Sequence, residues 1–416
     1  MVRTCHFHEK NVIFAPLFKS FVKDRSMKLE PDKGIPRHII LLMSAMAGLT
    51  VANLYYVQPL LEMIRTDLGT TDSLANMIAV VTQVGYALGL LLIVPTGDLF
   101  SRRKIIVVCM TLASLLTFTI GLSSNVYTIW AASLAMGACS IVPQLFIPVA
   151  GQFSRPENKS RNMGFVLSGL LIGILAARVI SGMIGEWMGW RMMYYIAGCI
   201  MIVCLALTLW TMPQMQTNYS GNYAGLMRSV GRIFLDHPNI RINALRAAFG
   251  FGSTLSFWAC LAFHLAGDPF HAGSDAVGYL GLCGVASAMV ASGIGKYIPR
   301  YGTRRFCIVG SICQIVAWIV AYAFGYTYLG LIISLILVDS GLQCLQLSNQ
   351  SACIQEVPQA ANRVNTIFMT TYFIGGSMGT FCAGQGWHIA GWTGICVIGL
   401  LFATTSLAIT IAKREK

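Results

Sequence analysis

The chain alternates long apolar stretches with short polar interruptions, and the apolar stretches make up most of its length. About 20 apolar residues at 1.5 Å rise span a hydrocarbon core of about 30 Å. Twelve such windows can be drawn, at 39–61, 75–96, 105–123, 126–149, 163–185, 192–212, 242–265, 276–295, 306–325, 327–349, 366–387 and 392–412. None shows the alternation of a barrel strand, and every backbone amide in lipid needs an internal partner, so each window predicts a helix. The expected fold class is an all-α polytopic membrane protein with twelve transmembrane helices.

The polar interruptions repeat. Gly97-Asp98-Leu99-Phe100-Ser101-Arg102-Arg103-Lys104 and Gly295-Lys296-Tyr297-Ile298-Pro299-Arg300-Tyr301-Gly302-Thr303-Arg304-Arg305 lie 198 positions apart, after spans 2 and 8. At an offset of 202, Pro156 and Arg161 recur as Pro358 and Arg363, and Gly189-Trp190 as Gly391-Trp392. Between those anchors Gly173, Ala177 and Gly182 map onto Gly375, Gly379 and Gly384. A period of half the chain in so apolar a sequence is the signature of carriers built from two related halves. The twelve helices are therefore expected as two pseudo-symmetric six-helix halves.

Composition removes the soluble alternative: 56% of residues are hydrophobic and only 11% charged. A net charge of +13 would suit nucleic acid, but the basic residues gather in alternate connections. Arg102, Arg103 and Lys104 follow span 2; Arg155, Lys159 and Arg161 follow span 4; Arg228, Arg232 and Arg241 follow span 6. Lys296, Arg300, Arg304 and Arg305, then Arg363, then Lys413, Arg414 and Lys416 continue the series, whereas the opposite loops hold only Arg65 and Arg191. That bias marks the cytoplasmic side and places both termini there, with membrane lipid rather than nucleic acid as the surroundings.

The thirteen cysteines lie mostly within spans and lack C-x-x-C spacing, so they read as small apolar packing residues. Residues 1–38 are expected to form a cytoplasmic tail, of which 1–26 reads as an over-long start because Met27 begins a tail of ordinary length. The halves are 39–212 and 242–416, joined by a cytoplasmic linker at 213–241. Within the linker, Asn218 to Asn222 form a flexible entry to an amphipathic helix from Tyr223 to Leu235 with Leu226, Val230, Ile233 and Phe234 on one face. This helix either lies on the inner leaflet or is a solvated connection.

A charge in mid-membrane costs from about 2.5 kcal/mol upward and needs a reason. Asp339 lies about 18 Å into span 10, near the midplane, and is assigned a proton-coupling or substrate role against that of a satisfied structural carboxylate. Arg178, in the outer half of span 5, is a gate or substrate contact or a fixed structural partner. The remaining polar lining of a pathway is drawn from Asn53, Tyr56, Gln58, Gln83, Gln144, Gln343, Gln346 and Asn349, although single amides also serve as bonds between helices. Phe249, Phe251, Phe257 and Trp258 suit an apolar or aromatic substrate, or face lipid. Gly85 and Gly89, Gly169 with Gly173 and Ala177, Gly284 with Ala288 and Ser292, and Gly375 with Gly379 form small-residue faces that let helices approach closely.

His264, Asp268, His271 and Asp275 have ligand chemistry, but Gly267, Pro269 and Gly273 break the helix that would align them, so a solvated loop and no metal is expected. No phosphate cradle and no nucleophile paired with a base is visible, and no soluble region is large enough for an ATP-driven engine. An enzyme is not expected, nor a cofactor.

Residues 39–412 resemble a twelve-helix member of the major facilitator superfamily, similar to bacterial drug/proton antiporter-like carriers. The resemblance rests on the two glycine-led basic loops, on Asn53-Leu54-Tyr55-Tyr56-Val57-Gln58-Pro59-Leu60-Leu61, and on the run Asp339 to Gln350. It implies alternating access in the bacterial inner membrane by a protein functional as a monomer. It also implies that helices 2, 5, 8 and 11 meet between the halves, and that the loop residues Gly97, Asp98, Arg102, Arg103, Gly295, Arg300, Gly302 and Arg304 latch one half to the other.

The sequence departs from the pattern at Ser101, where an acidic residue is usual, at Ser133, where many drug antiporters carry arginine, and at Ala177-Arg178, where Gly-Pro is favoured. The implied activity is secondary active transport of a small, amphipathic solute by proton-coupled efflux. The alternatives are a proton-coupled uptake symporter and a non-transporting polytopic membrane enzyme or sensor. The resemblance further implies that helix 5 lies near helices 8 and 10. Asp339 and Arg178 are then expected to approach each other across the halves in one state, and a change in their separation would switch Asp339 between holding and releasing a proton.

Overall fold

The computed structural model describes residues 28–30, 32–215 and 222–413. The expected over-long start at 1–26, linker residues 218–221, Arg414 and Lys416 lie outside the described residues. The first half contains α1 (Arg37–Asp67), α2 (Asp72–Leu99), α3 (Arg102–Leu122), α4 (Val126–Phe153), α5 (Pro156–Met188) and α6 (Trp190–Thr211). After a linker helix (Tyr223–Asp236) come α7 (Pro238–Ala266), α8 (274–301), α9 (Thr303–Phe324), α10 (Tyr328–Glu356), α11 (361–389) and α12 (392–412).

Two crossings need a physical reading. Helix α8 is in two pieces, Ser274–Leu280 and Cys283–Tyr301. The last helical run, Ala361–Ala412, has 52 residues, which would stretch about 78 Å if straight, far beyond one bilayer. It bends at Ala390 and Gly391, where φ at Gly391 is +56°. Its repeat partner Gly189 has φ +83° and turns α5 into α6. Only glycine takes that left-handed backbone without strain, which is why the Gly-Trp pair recurs in both halves.

Helix ends are set by local chemistry: Thr71, Asn125, Asn222 and Thr327 each accept a backbone N–H at the start of α2, α4, the linker helix and α10. A parallel two-residue pairing, β1 (Lys28–Leu29) with β2 (Gln214–Met215), ties the segment ahead of α1 to the end of α6. The linker helix buries Leu226 and Val230, its Tyr223 hydroxyl donates to Leu92 O of α2, and Arg363 of α11 hydrogen-bonds Ser229.

The small-residue faces pack mainly within each half. A Cβ on Gly173 would stand 2.3 Å from Gly48 Cα, joining α5 to α1, and one on Gly379 would stand 2.1 Å from Gly252 O, joining α11 to α7. Gly85 and Gly89 sit against Leu134 O and Ala138 O of α4. Helices α2 and α11, and α5 and α8, do meet between the halves, but at those positions the close neighbours are backbones of the same half, which is ordinary tight packing; Gly284, against Leu175 of α5, does cross.

The other contacts across the halves use a different set. A Cβ on Gly182 of α5 would lie 2.5 Å from Ser274 O and 3.0 Å from Gly278 Cα of α8, and one on Gly384 of α11 would lie 2.3 Å from Asn76 Nδ2 of α2. A shift of 202 positions turns Gly182 into Gly384 and Asn76 into Gly278, so the two contacts exchange under the internal repeat.

Hydrogen bonds reinforce the same face. Ser274 Oγ donates to Gly182 O at 2.8 Å, Asn76 Nδ2 to Thr380 O at 2.9 Å, Thr380 Oγ1 to Gln83 Oε1 at 3.2 Å, and Trp387 Nε1 to Asp72 Oδ2 at 2.8 Å. All these residues lie toward the face opposite the linker and the basic loops. The halves are closed there and part toward the basic face.

Candidate functional site

A cavity of about 640 Å³ runs between the halves from the basic face to mid-membrane. One side of α5 lines it, from Ser160 through Leu167 and Ile174 to Arg178, a run of about 27 Å along the helix. Facing it are α10 from Asp339 to Ile354 and α11 from Ala361 to Phe373. Its inner end carries two buried charges, Arg178 of the first half and Asp339 of the second, 6% and 8% exposed.

Arg178 is held tightly. Its Nε donates to Gln58 Oε1 at 2.8 Å, and its guanidinium lies over the rings of Trp258 (4.0 Å to the centroid) and Tyr55 (5.0 Å). Aromatic faces attract a cation, so this cradle offsets part of the desolvation cost without an anion. Asp339 closes no ion pair with it, although the two charges interact across the cavity end. Trp258 is fully buried and touches both charges, its ring under the Arg178 guanidinium and its indole N–H interacting with the Asp339 carboxylate.

The walls combine rings and amides. Phe251 stacks on Tyr372 at 4.0 Å, and Tyr86 meets Phe373 at 4.5 Å. Gln144 Nε2 donates to the Tyr86 hydroxyl at 3.3 Å, and the Tyr372 hydroxyl donates to Gln346 Oε1 at 3.0 Å. Gln343 lines the same wall. Such a site can take a flat or apolar group between the rings while polar groups reach the amides and the two charges.

Of the residues expected from sequence, Asp339, Arg178, Gln144, Gln343 and Gln346 line this cavity, and Gln58, buried behind them, reaches it only through its bond to Arg178. Asn53 and Tyr56 stand apart. On α1 the cavity side is Val51 and Tyr55, and the α-helix is interrupted between them by a 3-10 turn, Ala52–Leu54, that carries Asn53 away from the cavity. Asn53 Nδ2 instead meets Met201 Sδ of α6 at 3.4 Å, and Tyr56 is buried near Cys204. Gln83 bonds Thr380 in the closed face, and Asn349 bonds Cys307 and its own helix.

Tyr55, Tyr86 and Tyr372 were not singled out from sequence because a tyrosine in an apolar span does not disturb hydropathy. Their common depth with Asp339 and Arg178 is the signal that could have found them. The helix 7 ring cluster divides: Phe251 lines the cavity, Phe257 and Trp258 are buried, and Phe249 meets Phe402 of α12.

The basic loops keep to their own halves in this state. Arg102 is buried, with Nε donating to Gly97 O and its terminal nitrogens reaching Gln152 Oε1 and Asp98 Oδ1. Arg103 donates to Leu209 O, near the end of α6, at 2.7 Å. Asp98 faces Arg363 of α11 across a narrow crevice. Gly295 lies inside α8, Arg300 rests over the ring of Tyr301, Gly302 turns α8 into α9 at φ +81°, and Arg304 Nε is buried without a hydrogen-bond partner among the described residues. His264 stacks on Trp392 at 3.9 Å and hydrogen-bonds Gly325 O, while His271 pairs with Asp268 in the loop, so the four-residue set does not converge.

Comparison with known proteins agrees with this architecture. The sequence model of the Major Facilitator Superfamily matches residues 40–380. The chain is 34% identical over 383 residues to the uncharacterized transporter YgaY of Escherichia coli O157:H7, covering 91% of this chain and 96% of that protein. In fold it is similar to the nucleoside transporter NupG, with a TM-score of 0.70 at 14% identity over 90% of this chain and 98% of the other. It is also similar to a bacterial homolog of the human lysosomal transporter Spinster in an inward-facing, occupied conformation, with a TM-score of 0.72 at 15% identity over 90% and 96% of the two chains. A two-half helical architecture enclosing one central cavity, together with these matches, establishes that the chain belongs to the Major Facilitator Superfamily and is a membrane transporter of small molecules.

Proposed function

We propose that the protein exports a small amphipathic solute across the bacterial inner membrane in exchange for protons. The observation that carries this reading is that Asp339 and Arg178, one from each half, both line the inner end of one cavity between the halves. A carboxylate at that depth binds or releases a proton according to what stands beside it. Arg178 is its nearest charged neighbour on the other half, and closure of one face with opening of the other changes their separation. Solute entering the ring-lined cavity competes with the proton for Asp339, which is the coupling an exchanger needs.

Sidedness rests on the basic loops, which put the open mouth and both termini in the cytoplasm. The state described is then the one that loads solute for export. The protein acts as a monomer, since the whole pathway lies between its own two halves.

Flux in proteoliposomes under an imposed pH gradient tests the assignment. Solute moving against the proton flow supports exchange, and solute moving with the protons would replace it by symport. Product formation or signalling without vectorial movement would overturn transport coupling altogether.

A further inference from the structure

A second cavity, of about 540 Å³, lies outside the central pathway, where the segment ahead of α1 meets the start of α5 on the basic face. We infer that it binds the phosphate-bearing headgroup of an anionic membrane lipid. Its rim carries Lys33, Arg37, Arg155 and Arg161, and among the described residues its lining has no carboxylate. Glu30 pairs with Lys33, and Asp32 pairs with nearby Lys159 at 2.7 Å, which leaves Arg37, Arg155 and Arg161 without a carboxylate partner among the described residues. Arg155 is already posed: its Nε donates to Lys33 O at 3.3 Å, which fixes the guanidinium against Gly34 and leaves its terminal nitrogens for a ligand. Guanidinium groups in such an array match phosphate oxygens in pairs.

The depth and the floor of the cavity decide between a lipid and a free phosphate ion. Ile35, Leu41 and Phe165 line its lower part, with Leu41 60% and Phe165 42% exposed to the surroundings of the helices. Leu41 is four residues into α1, about 6 Å below the helix start, which is the depth where headgroup gives way to acyl chain. A free phosphate has no use for that apolar floor, whereas a lipid places its phosphate among the arginines and its first methylenes against Leu41 and Phe165. Arg161 lies over the Phe165 ring at 5.8 Å, joining the polar and apolar parts.

The site belongs to one half and does not touch Asp339 or Arg178, so it is independent of the transport reading. The test compares lipid retention by the purified full chain in native mass spectrometry after exposure to equal amounts of dioleoylphosphatidylglycerol and dioleoylphosphatidylcholine. Wild-type protein should retain the anionic phosphatidylglycerol preferentially over the zwitterionic phosphatidylcholine. Arg37→Gln/Arg161→Gln should weaken that retention by about 25-fold, two factors of about five for two juxtamembrane charges, while Arg228→Gln/Arg232→Gln on the linker helix should leave it unchanged.

Equal retention of the two lipids by wild-type protein overturns the proposal even if the variant does not fold. Undiminished retention in a folded Arg37/Arg161 variant also overturns it. Stabilisation against heat by inorganic phosphate equal to that by the anionic lipid would assign the cavity to a free anion instead.

Discussion

Replacing Gly182 by alanine adds one methyl group where α5 and α8 of opposite halves touch. Its Cβ would stand 2.5 Å from the Ser274 carbonyl oxygen and 3.0 Å from Gly278 Cα. Both are backbone atoms, so no side chain can swing aside and the helices must separate by about 1 Å to reach ordinary contact. Overpacking of this kind costs about 1–3 kcal/mol, and only the state closed on that face bears it. The ratio of the two access states should therefore shift by about 5- to 150-fold toward opening on the face away from the basic loops.

The better helix propensity of alanine, about 1 kcal/mol, favours both states alike. Gly164→Ala carries that gain alone, because nothing stands within 4 Å of a Cβ there. Hydrogen exchange followed by mass spectrometry should show faster exchange at 182–188 and 274–281 in Gly182→Ala and slower exchange at 160–167, with Gly164→Ala like the wild type. Unchanged exchange in folded Gly182→Ala refutes the view that this contact closes the face.

Gln58→Leu removes the acceptor of Arg178 Nε and should lower stability by about 1–3 kcal/mol in thermal unfolding, whereas Gln144→Leu, which loses a 3.3 Å bond to a hydroxyl, should cost about 1 kcal/mol or less. Gly302→Ala forces a side chain onto φ +81° and should cost about 1–2 kcal/mol in the same assay without altering the direction of transport. A reporter active only in the cytoplasm should work when fused after Arg305 or at Lys416, and its failure at both would reverse the sidedness.

The fold was legible because membrane burial is a long-range, low-information signal: twelve apolar windows and a charge bias survive any uncertainty of a few residues. The internal repeat was legible at Gly189-Trp190 and Gly391-Trp392 because a left-handed turn admits few substitutes. Asp339 and Arg178 stood out for the complementary reason, that a charge at depth is expensive. What hydropathy could not supply was direction. Small residues mark a close approach without saying to which neighbour: Gly173 and Gly379 pack within their own halves, while Gly182 and Gly384 on the same two helices carry the contact between halves. The rings of Tyr55, Tyr86 and Tyr372 were hidden for a similar reason, since an amphipathic aromatic looks apolar until its orientation is known. The loop arginines differ again: their spacing marks a polar connection but not its partner, and Arg103 bonds a carbonyl of its own half, Leu209 O.

Proton coupling through Asp339 is the central claim, and its most direct test is gradient-driven flux through the Asp339→Asn variant. The solute is first identified by a compound screen on a strain overexpressing the protein, then followed in proteoliposomes with and without an imposed pH gradient. The variant should insert, bind solute and exchange it for itself across the membrane, yet fail to accumulate it when the gradient is applied, while Asp339→Glu should retain partial accumulation. Accumulation by Asp339→Asn at the wild-type level under the same gradient would contradict the account and leave Asp339 a structural partner of the cavity wall.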